Sequence, residues 1–374
     1  MKIDYEIVII GAGVIGLAIA KSLVDTKNKS VLIIEKDETF GRGISSRNSE
    51  VIHSGIYYPK GSLKQRLCLE GRRLLYDFCN ENNIWHDKCG KLVVAQKNEI
   101  SHLENLFYQA LANGIRGVKE IDHKTIKIIN ENISAYKGLL IKSTGIVSVH
   151  DYMASLYNIS STYDHDYLFK SSLIDVHQRD RGYELIIDNP YNEKEIVNCE
   201  LVINCAGLKS DLVSKMILGN NLTCPEIKYS KGCYFKLSSK WKNQFNHLIY
   251  PIPDYLNQTL GIHLTIDRDR LAKLGPSAEW LEIKEEDYTV SPDLIKEFYE
   301  KARIYIPELS EEDLSPDYAG IRPKIHSREN KFNDFYINDE KKNGFPGWIN
   351  LIGIESPGIT SSLAIGKMVA KMVN

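Results

Sequence analysis

Three short stretches of this chain carry residue types that do chemistry. Gly11-Ala12-Gly13-Val14-Ile15-Gly16 sets glycines at the first, third and sixth places. That spacing lets a backbone turn tightly, approach a pyrophosphate and pack a helix closely on a strand. Ser45-Ser46-Arg47-Asn48-Ser49-Glu50-Val51-Ile52-His53-Ser54-Gly55-Ile56-Tyr57-Tyr58-Pro59 is crowded with hydrogen-bonding groups, then runs through an apolar pair into a single imidazole. A polar surface loop accounts for Ser45 to Ser49 but not for Val51 to Gly55. The third stretch, Gly353-Ile354-Glu355-Ser356-Pro357-Gly358-Ile359-Thr360, reads as a loop delivering a helix N-terminus. Backbone N–H groups and the positive dipole end there favour negative charge. The ten histidines form no HxxxH or HExxH pair, so the sequence offers no metal site.

These stretches need elements to position them. Tyr5 to Ile10 is a short apolar strand running straight into the glycines, and Leu17 to Leu23 is spaced like a buried helix. A second strand, Val31 to Ile34, ends at Glu35, where a carboxylate can take both hydroxyls of an adenosine ribose. Glycines alone mark ordinary turns. Strand, glycines, helix, second strand and terminal acid together predict an adenine dinucleotide, with its pyrophosphate at the helix N-terminus. Further along, helices are expected over 62–82 and 100–113, with another beginning after Ser148. A strand is expected over 90–95, and a hairpin around Arg181-Gly182 joins Leu173–His177 to Tyr183–Ile187. Leu201 to Asn204 is a buried strand ending in Ala206-Gly207, which returns the chain to the nucleotide sheet. Gly261 to Ile266 alternates like a strand, with His263 on the face of Gly261 and Thr265, away from Ile262 and Leu264. That face could reach a cleft or bulk water. A final strand over 349–354 precedes a helix over 361–373.

The fold class is α/β combined with α+β: a discontinuous nucleotide-binding domain from 1–85, 142–220 and 320–374, and a largely antiparallel substrate domain from 86–141 and 221–319. Ligands bind between such domains, beyond the carboxyl ends of the parallel strands.

At 374 residues the chain is comfortable for two domains, and 43% hydrophobic with 26% charged residues is ordinary for a globular protein. A net charge of −2, without long like-charge runs, argues against a nucleic-acid partner. No apolar run approaches about 18 residues, so no spanning helix is expected. The first strand starts almost at Met1, which argues against a cleaved leader. The location expected is cytoplasmic, with peripheral contact on the inner membrane face left open. Seven cysteines, an odd number without a CxxC, read as reduced and mostly buried thiols.

The segment around His53 closely resembles the FAD loop of the D-amino-acid-oxidase-like flavoproteins. More narrowly, the chain resembles the L-2-hydroxyglutarate dehydrogenase/oxidase family. The resemblance covers essentially the whole chain, through GAGVIGLAIA, SSRNSEVIHSGIYYPKGSLK, LCLEGRRLLYDFC, CGKLVVA, STGIVSVHDYM, VINCAGLKSD, KGCYF, HLIYPIP, GIHLTIDRDRLAKLGPSAEW, AGIRPKI and NLIGIESPGITSSLAIGKMV. IYYP, GIHLT and GIESPGIT carry the narrower assignment. The resemblance implies a Rossmann-like FAD-binding domain of glutathione-reductase type. It implies FAD as the dinucleotide, and hydride transfer from the CH–OH carbon of a hydroxy acid to flavin N5.

Residue by residue, it assigns Gly11, Gly13 and Gly16 to the pyrophosphate and Glu35 to the ribose, with Ile15 and Lys36 beside them. Ser45, Ser46, Arg47, Asn48 and Ser49 would line the path to the flavin. Val176 would meet the adenine through its backbone, and Ala206 and Gly207 would turn beside the cofactor. Gly353 would adjoin the cofactor, and the backbone N–H groups of Gly358, Ile359 and Thr360 would stabilise charge near flavin N1 and the C2 carbonyl. Arg322 would anchor the substrate carboxylate, since a guanidinium fork suits a carboxylate bidentately. Lys324, Lys231 and Tyr250 are further substrate candidates. The hydroxyl proton needs a base, a role that suits histidine. His53 is the first candidate and His263 the second. In some relatives a histidine placed like His53 bonds FAD covalently, an option not favoured here. Glycerol 3-phosphate or an amino acid is the alternative substrate, and a flavin-binding electron-transfer subunit the non-enzyme alternative. The acceptor would be oxygen or a quinone, and the sequence leaves the oligomeric state open.

Overall fold

The computed structural model describes residues 2–24, 29–163, 165–191, 193–219, 224–253, 261–325 and 332–373. The opening strand Tyr5–Ile10 lies inside a sheet, parallel to Val31–Ile34 on one side and to Lys194–Asn204 on the other. His165–Leu168 extends the parallel set beyond Val31–Ile34, and Trp348–Ile352 extends it beyond Asn204. These strands read as unbroken apolar runs because both faces are covered. The two-residue period divides them: Ile7, Ile9, Val31, Ile33, Ile203 and Ile349 join one core, and Val8, Ile10, Leu32, Ile34, Val202 and Trp348 the other. Helices Val14–Leu23, Val149–Thr162 and Gly358–Met372 contribute to the first core, and Val213 of Ser210–Leu218 to the second.

The expected hairpin is Ser172–Arg179 with Gly182–Asp188, laid antiparallel on the first half of Lys194–Asn204. The long helix runs Leu63–Glu81 and starts where Ser62 accepts the Gln65 N–H. The strand expected over 261–266 begins only at Leu264, so His263 precedes it.

Among the described residues the second sheet has nine strands. It takes in Lys91–Ala95, Ile227–Leu237, Leu248–Pro251, Leu264–Ile266 and Leu314–Ile325, and its pairs are antiparallel except Leu248–Pro251 with Lys91–Ala95. Helices Ile100–Ala112 and Ile295–Ala302 pack Leu103, Leu106 and Phe298 against its Leu92, Leu139 and Phe235. The expected boundary at 320 needs correcting. Leu314–Ile325 is one strand, paired with Ile227–Leu237 from Leu237↔Leu314 to Ile227↔Ile325. Residues 320–325 therefore belong to the second sheet. A small sheet of Val51–Ile52, Gly145–Val147 and His86–Asp87 bridges the two layers.

Candidate active site

A single cavity of about 1340 Å³ runs from Glu35 and Lys36, past Gly11, Gly13 and Ser45, to His53, His263, Arg322 and the Gly358–Thr360 turn. It opens beyond the carboxyl ends of Tyr5–Ile10 and Val31–Ile34, where an α/β sheet places its ligands.

Its first half is made mostly of backbone. Gly11 has φ +102°, and a Cβ there would lie 2.6 Å from the Cys205 carbonyl oxygen. A Cβ on Gly16 would lie 2.0 Å from the Gly11 oxygen, so this glycine lets helix and strand close up. Ser45 Oγ accepts the Val14 N–H at 2.9 Å and so seats the loop at the helix N-terminus. Glu35 is buried at the strand end, with one carboxylate oxygen taking the Ala12 N–H at 2.8 Å and the other the Asp37 N–H at 3.0 Å. Ile15, Arg47, Asn48, Ser49, Ala206 and Gly207 line the same passage. A helix N-terminus with a glycine turn, a buried acid at one end and an elongated cavity fit an adenine dinucleotide ending in a flavin.

The second half is made of side chains from distant segments. His53 follows the bridging strand Val51–Ile52. Its backbone N–H donates to Thr360 Oγ1 at 3.0 Å, and its Nε2 lies 3.1 Å from Ser356 Oγ. His263 stacks on Tyr250 at 3.8 Å between ring centroids, and its Nδ1 lies 3.1 Å from the Gly261 carbonyl oxygen. A carbonyl only accepts, so Nδ1 carries the proton and Nε2 keeps its lone pair. Burial, followed by the charge of Lys91 and by His263, pushes His53 down to about 3. His263 also falls to about 3, through burial, Lys91 and Arg322, against the opposing Gly261 bond. Both imidazoles are therefore neutral at ordinary pH.

Arg322 projects from the long strand. Its Nη2 donates to the Ser277 carbonyl at 2.6 Å and its Nε to Ser230 at 3.5 Å. Nη1 has no protein partner, and no carboxylate pairs with the guanidinium, among the described residues. Beside it, Glu355 accepts from Lys64 at 2.9 Å and lies 3.2 Å from Lys324. Burial alone would raise the Glu355 carboxyl, but Lys64 and Lys324 hold it at about 2. These four side chains sum to two positive charges.

Several expected positions fall elsewhere. Lys231 is buried and paired with Asp287 at 2.6 Å. The register sets Ser230 opposite Arg322 and Lys231 opposite Ile321, so Lys231 points to the other face of the sheet. Lys324 lines the cavity but is already tied to Glu355. Val176 packs in the core with Leu173 and Leu185, and Ser171, Ser172 and Leu173 line the cavity in its place. Ser46 is exposed and donates to the Arg42 and Gly43 carbonyls. Gly16 and Gly353 shape the walls without lining them. At the start of helix Gly358–Met372, Gly358 spends its N–H on the Glu355 carbonyl at 2.6 Å, which leaves the first-turn N–H groups of Ile359 and Thr360. Sequence reasoning missed Ser356, Glu355, Lys64 and Lys91. The first two stand beside the glycines in GIESPGIT, and the others are single lysines in YYPKGSLK and CGKLVVA. Among the described residues no cluster could hold a metal ion.

Fold, cradle and the two histidines lining the cavity together define a flavin-dependent oxidoreductase. The chain belongs to the FAD dependent oxidoreductase family, whose model matches residues 6–372. Within it the chain stands with the L-2-hydroxyglutarate dehydrogenases. It is 36% identical to the mitochondrial enzyme of that name from Arabidopsis thaliana, over 99% of this chain and 83% of that one. It is 30% identical to the Escherichia coli (strain K12) L-2-hydroxyglutarate dehydrogenase, over 99% and 93%. The fold matches the FAD-bound, dithionite-reduced L-alpha-glycerophosphate oxidase from Mycoplasma pneumoniae at a TM-score of 0.88. That match covers 100% of this chain and 95% of the other at 21% identity.

Proposed function

We propose that this protein oxidises L-2-hydroxyglutarate to 2-oxoglutarate. The observation that carries the reading is one arginine edge without a protein partner, set among two neutral histidines in a cavity continuous with the dinucleotide cradle. The naming of its relatives supplies the substrate.

FAD, held without a covalent bond in the cradle of Gly11, Gly13 and Glu35, would supply the acceptor for the hydride that leaves C2. The chain's own residues do the rest. Backbone carbonyls fix one side of Arg322, so its Nη1 meets the C1 carboxylate with little reorganisation. The net charge of +2 over Arg322, Lys324, Lys64 and Glu355 suits a dianion. His53 takes the hydroxyl proton, and Ser356 orients its ring. A dianionic substrate beside His53 offsets the burial that depresses it, which brings the imidazole closer to a useful base. The stacked rings of His263 and Tyr250 form a further part of the wall.

Oxygen or a quinone would be the final acceptor. Among the described residues no helix is long and apolar enough to cross a membrane. Seven free thiols fit a reducing, cytoplasmic setting, with contact at the inner membrane face compatible with a quinone acceptor. The test is product analysis. Incubation with L-2-hydroxyglutarate and an acceptor yields 2-oxoglutarate, while the D enantiomer is untouched. Turnover of glycerol 3-phosphate in place of both would overturn the reading.

A further inference from the structure

Lys91 opens a strand of the second sheet and has no exposed surface. Its Nζ has no hydrogen-bond partner, and among the described residues it joins no ion pair. A buried ammonium without either is expensive to keep. What it touches is aromatic: Nζ lies 4.3 Å from the Tyr57 ring centroid and 4.4 Å from that of Tyr250. Those rings stack 6.5 Å apart at 20°, and the Tyr250 ring stacks in turn on His263. Tyr57, Tyr250 and His263 all line the cavity. The lysine therefore sits directly behind the wall that faces the substrate.

We propose that Lys91 is a positioning residue for the oxidation. Its ammonium grips the faces of Tyr57 and Tyr250, fixes the plane of His263 through Tyr250, and sits close enough for its charge to be felt by His53 and His263. The inference rests on the substrate reading above only for its kinetic test.

The groups around Lys91 fit this role. Tyr57 and His53 come from the loop after Val51–Ile52, Cys68 from helix Leu63–Glu81, Tyr250 from its neighbouring strand, and His263 from the residue before Leu264. Burial lowers Lys91 to about 7, and the Cys68 thiol pulls weakly the other way. Its charge in turn acts on both imidazoles, disfavouring their cationic forms. Below pH 7 the lysine is charged and the histidines resist protonation. Above pH 7 that charge fades, but the histidines are neutral there regardless.

The test uses flavin-loaded holoenzyme with ring-labelled histidine, read by NMR without substrate. In the unmodified protein, the His53 and His263 signals should move between pH 6 and 9, following Lys91 and not their own protonation. Lys91→Met should move both histidine titrations to higher pH by about half a unit or more. Lys91→Arg, which keeps the charge, should leave them near the parent values. Flat histidine signals in the unmodified protein overturn the proposal, even where Lys91→Met fails to fold. With L-2-hydroxyglutarate, Lys91→Met should lower kcat about tenfold and leave KM within about twofold, a transition-state loss. The acid limb of kcat/KM should move upward, and Lys91→Arg should recover most of the rate. An unmoved limb with an equal loss in both variants marks the lysine as merely structural. A parent enzyme inert to this substrate while its histidine signals behave as described sinks the substrate reading alone.

Discussion

The two halves of the cavity are built by different means. The end we assign to the cofactor's adenosine and pyrophosphate comes mainly from one continuous βαβ unit, Tyr5 to Glu35, and its contacts are largely backbone. The end we assign to the reaction is lined by His53, Tyr250, His263, Arg322 and Ser356, from five separated segments and both sheets. A phosphate is recognised by N–H groups that any sequence with the right glycines can present. A hydroxy acid needs particular side chains at fixed distances, which only the complete fold can gather. Changes in the first half should therefore remove flavin, and changes in the second should remove turnover from protein that stays yellow.

The strongest contrast is expected from His53→Asn. It should retain flavin and lower kcat by about 10² to 10⁴, with a smaller loss for His263→Asn; rapid-reaction kinetics on both variants check the order. Arg322→Lys should lower kcat/KM about 10²-fold, mostly through KM, because a point charge replaces a fork. Steady-state kinetics test it, and an unchanged KM removes the anchoring role. Gly11→Ala turns the comparison round. Positive φ and the Cys205 oxygen at 2.6 Å make its methyl costly, so flavin affinity should fall about ten- to a hundredfold. Flavin content by absorbance and rate per bound flavin measure it, and the rate per flavin should stay near that of the parent.

The smallest effect is on stability against pH. His53 and His263 fall to about 3 in the folded protein, below their ordinary 6.5. The unfolded chain then binds protons first as pH drops, so stability declines from about pH 6.5 towards 3. Glu355 adds a loss from about 4.5 towards 2, because its stabilised carboxylate must be protonated. Melting temperatures across that range should fall less steeply in His263→Asn than in the parent.

The same contrast explains what the sequence made legible. Gly11, Gly13, Gly16 and Glu35 sit within one unit, and local spacing dictates their contacts. Arg322 and His53 stood out through motif context and do line the cavity. Lys231 did not follow its motif, because which face of a strand a lysine takes depends on register with a partner about ninety residues away. Val176 failed for a related reason: the hairpin bulges between Leu173 and Asp175, and the cavity meets the strand's beginning. Lys91 left no signal beyond one polar residue opening an apolar strand; only the packing of Tyr57, Tyr250 and His263 around it gives it meaning. Glu355 carries no local signal, because its partners Lys64 and Lys324 come from other segments of the chain.

A cavity that holds FAD at one end and oxidises L-2-hydroxyglutarate at the other should let this substrate reduce the flavin selectively. Anaerobic stopped-flow absorbance tests it directly, with L-2-hydroxyglutarate, D-2-hydroxyglutarate and glycerol 3-phosphate mixed separately with the yellow protein. Rapid bleaching by the first alone is the result predicted. Bleaching by glycerol 3-phosphate alone, or by none of the three, would contradict it.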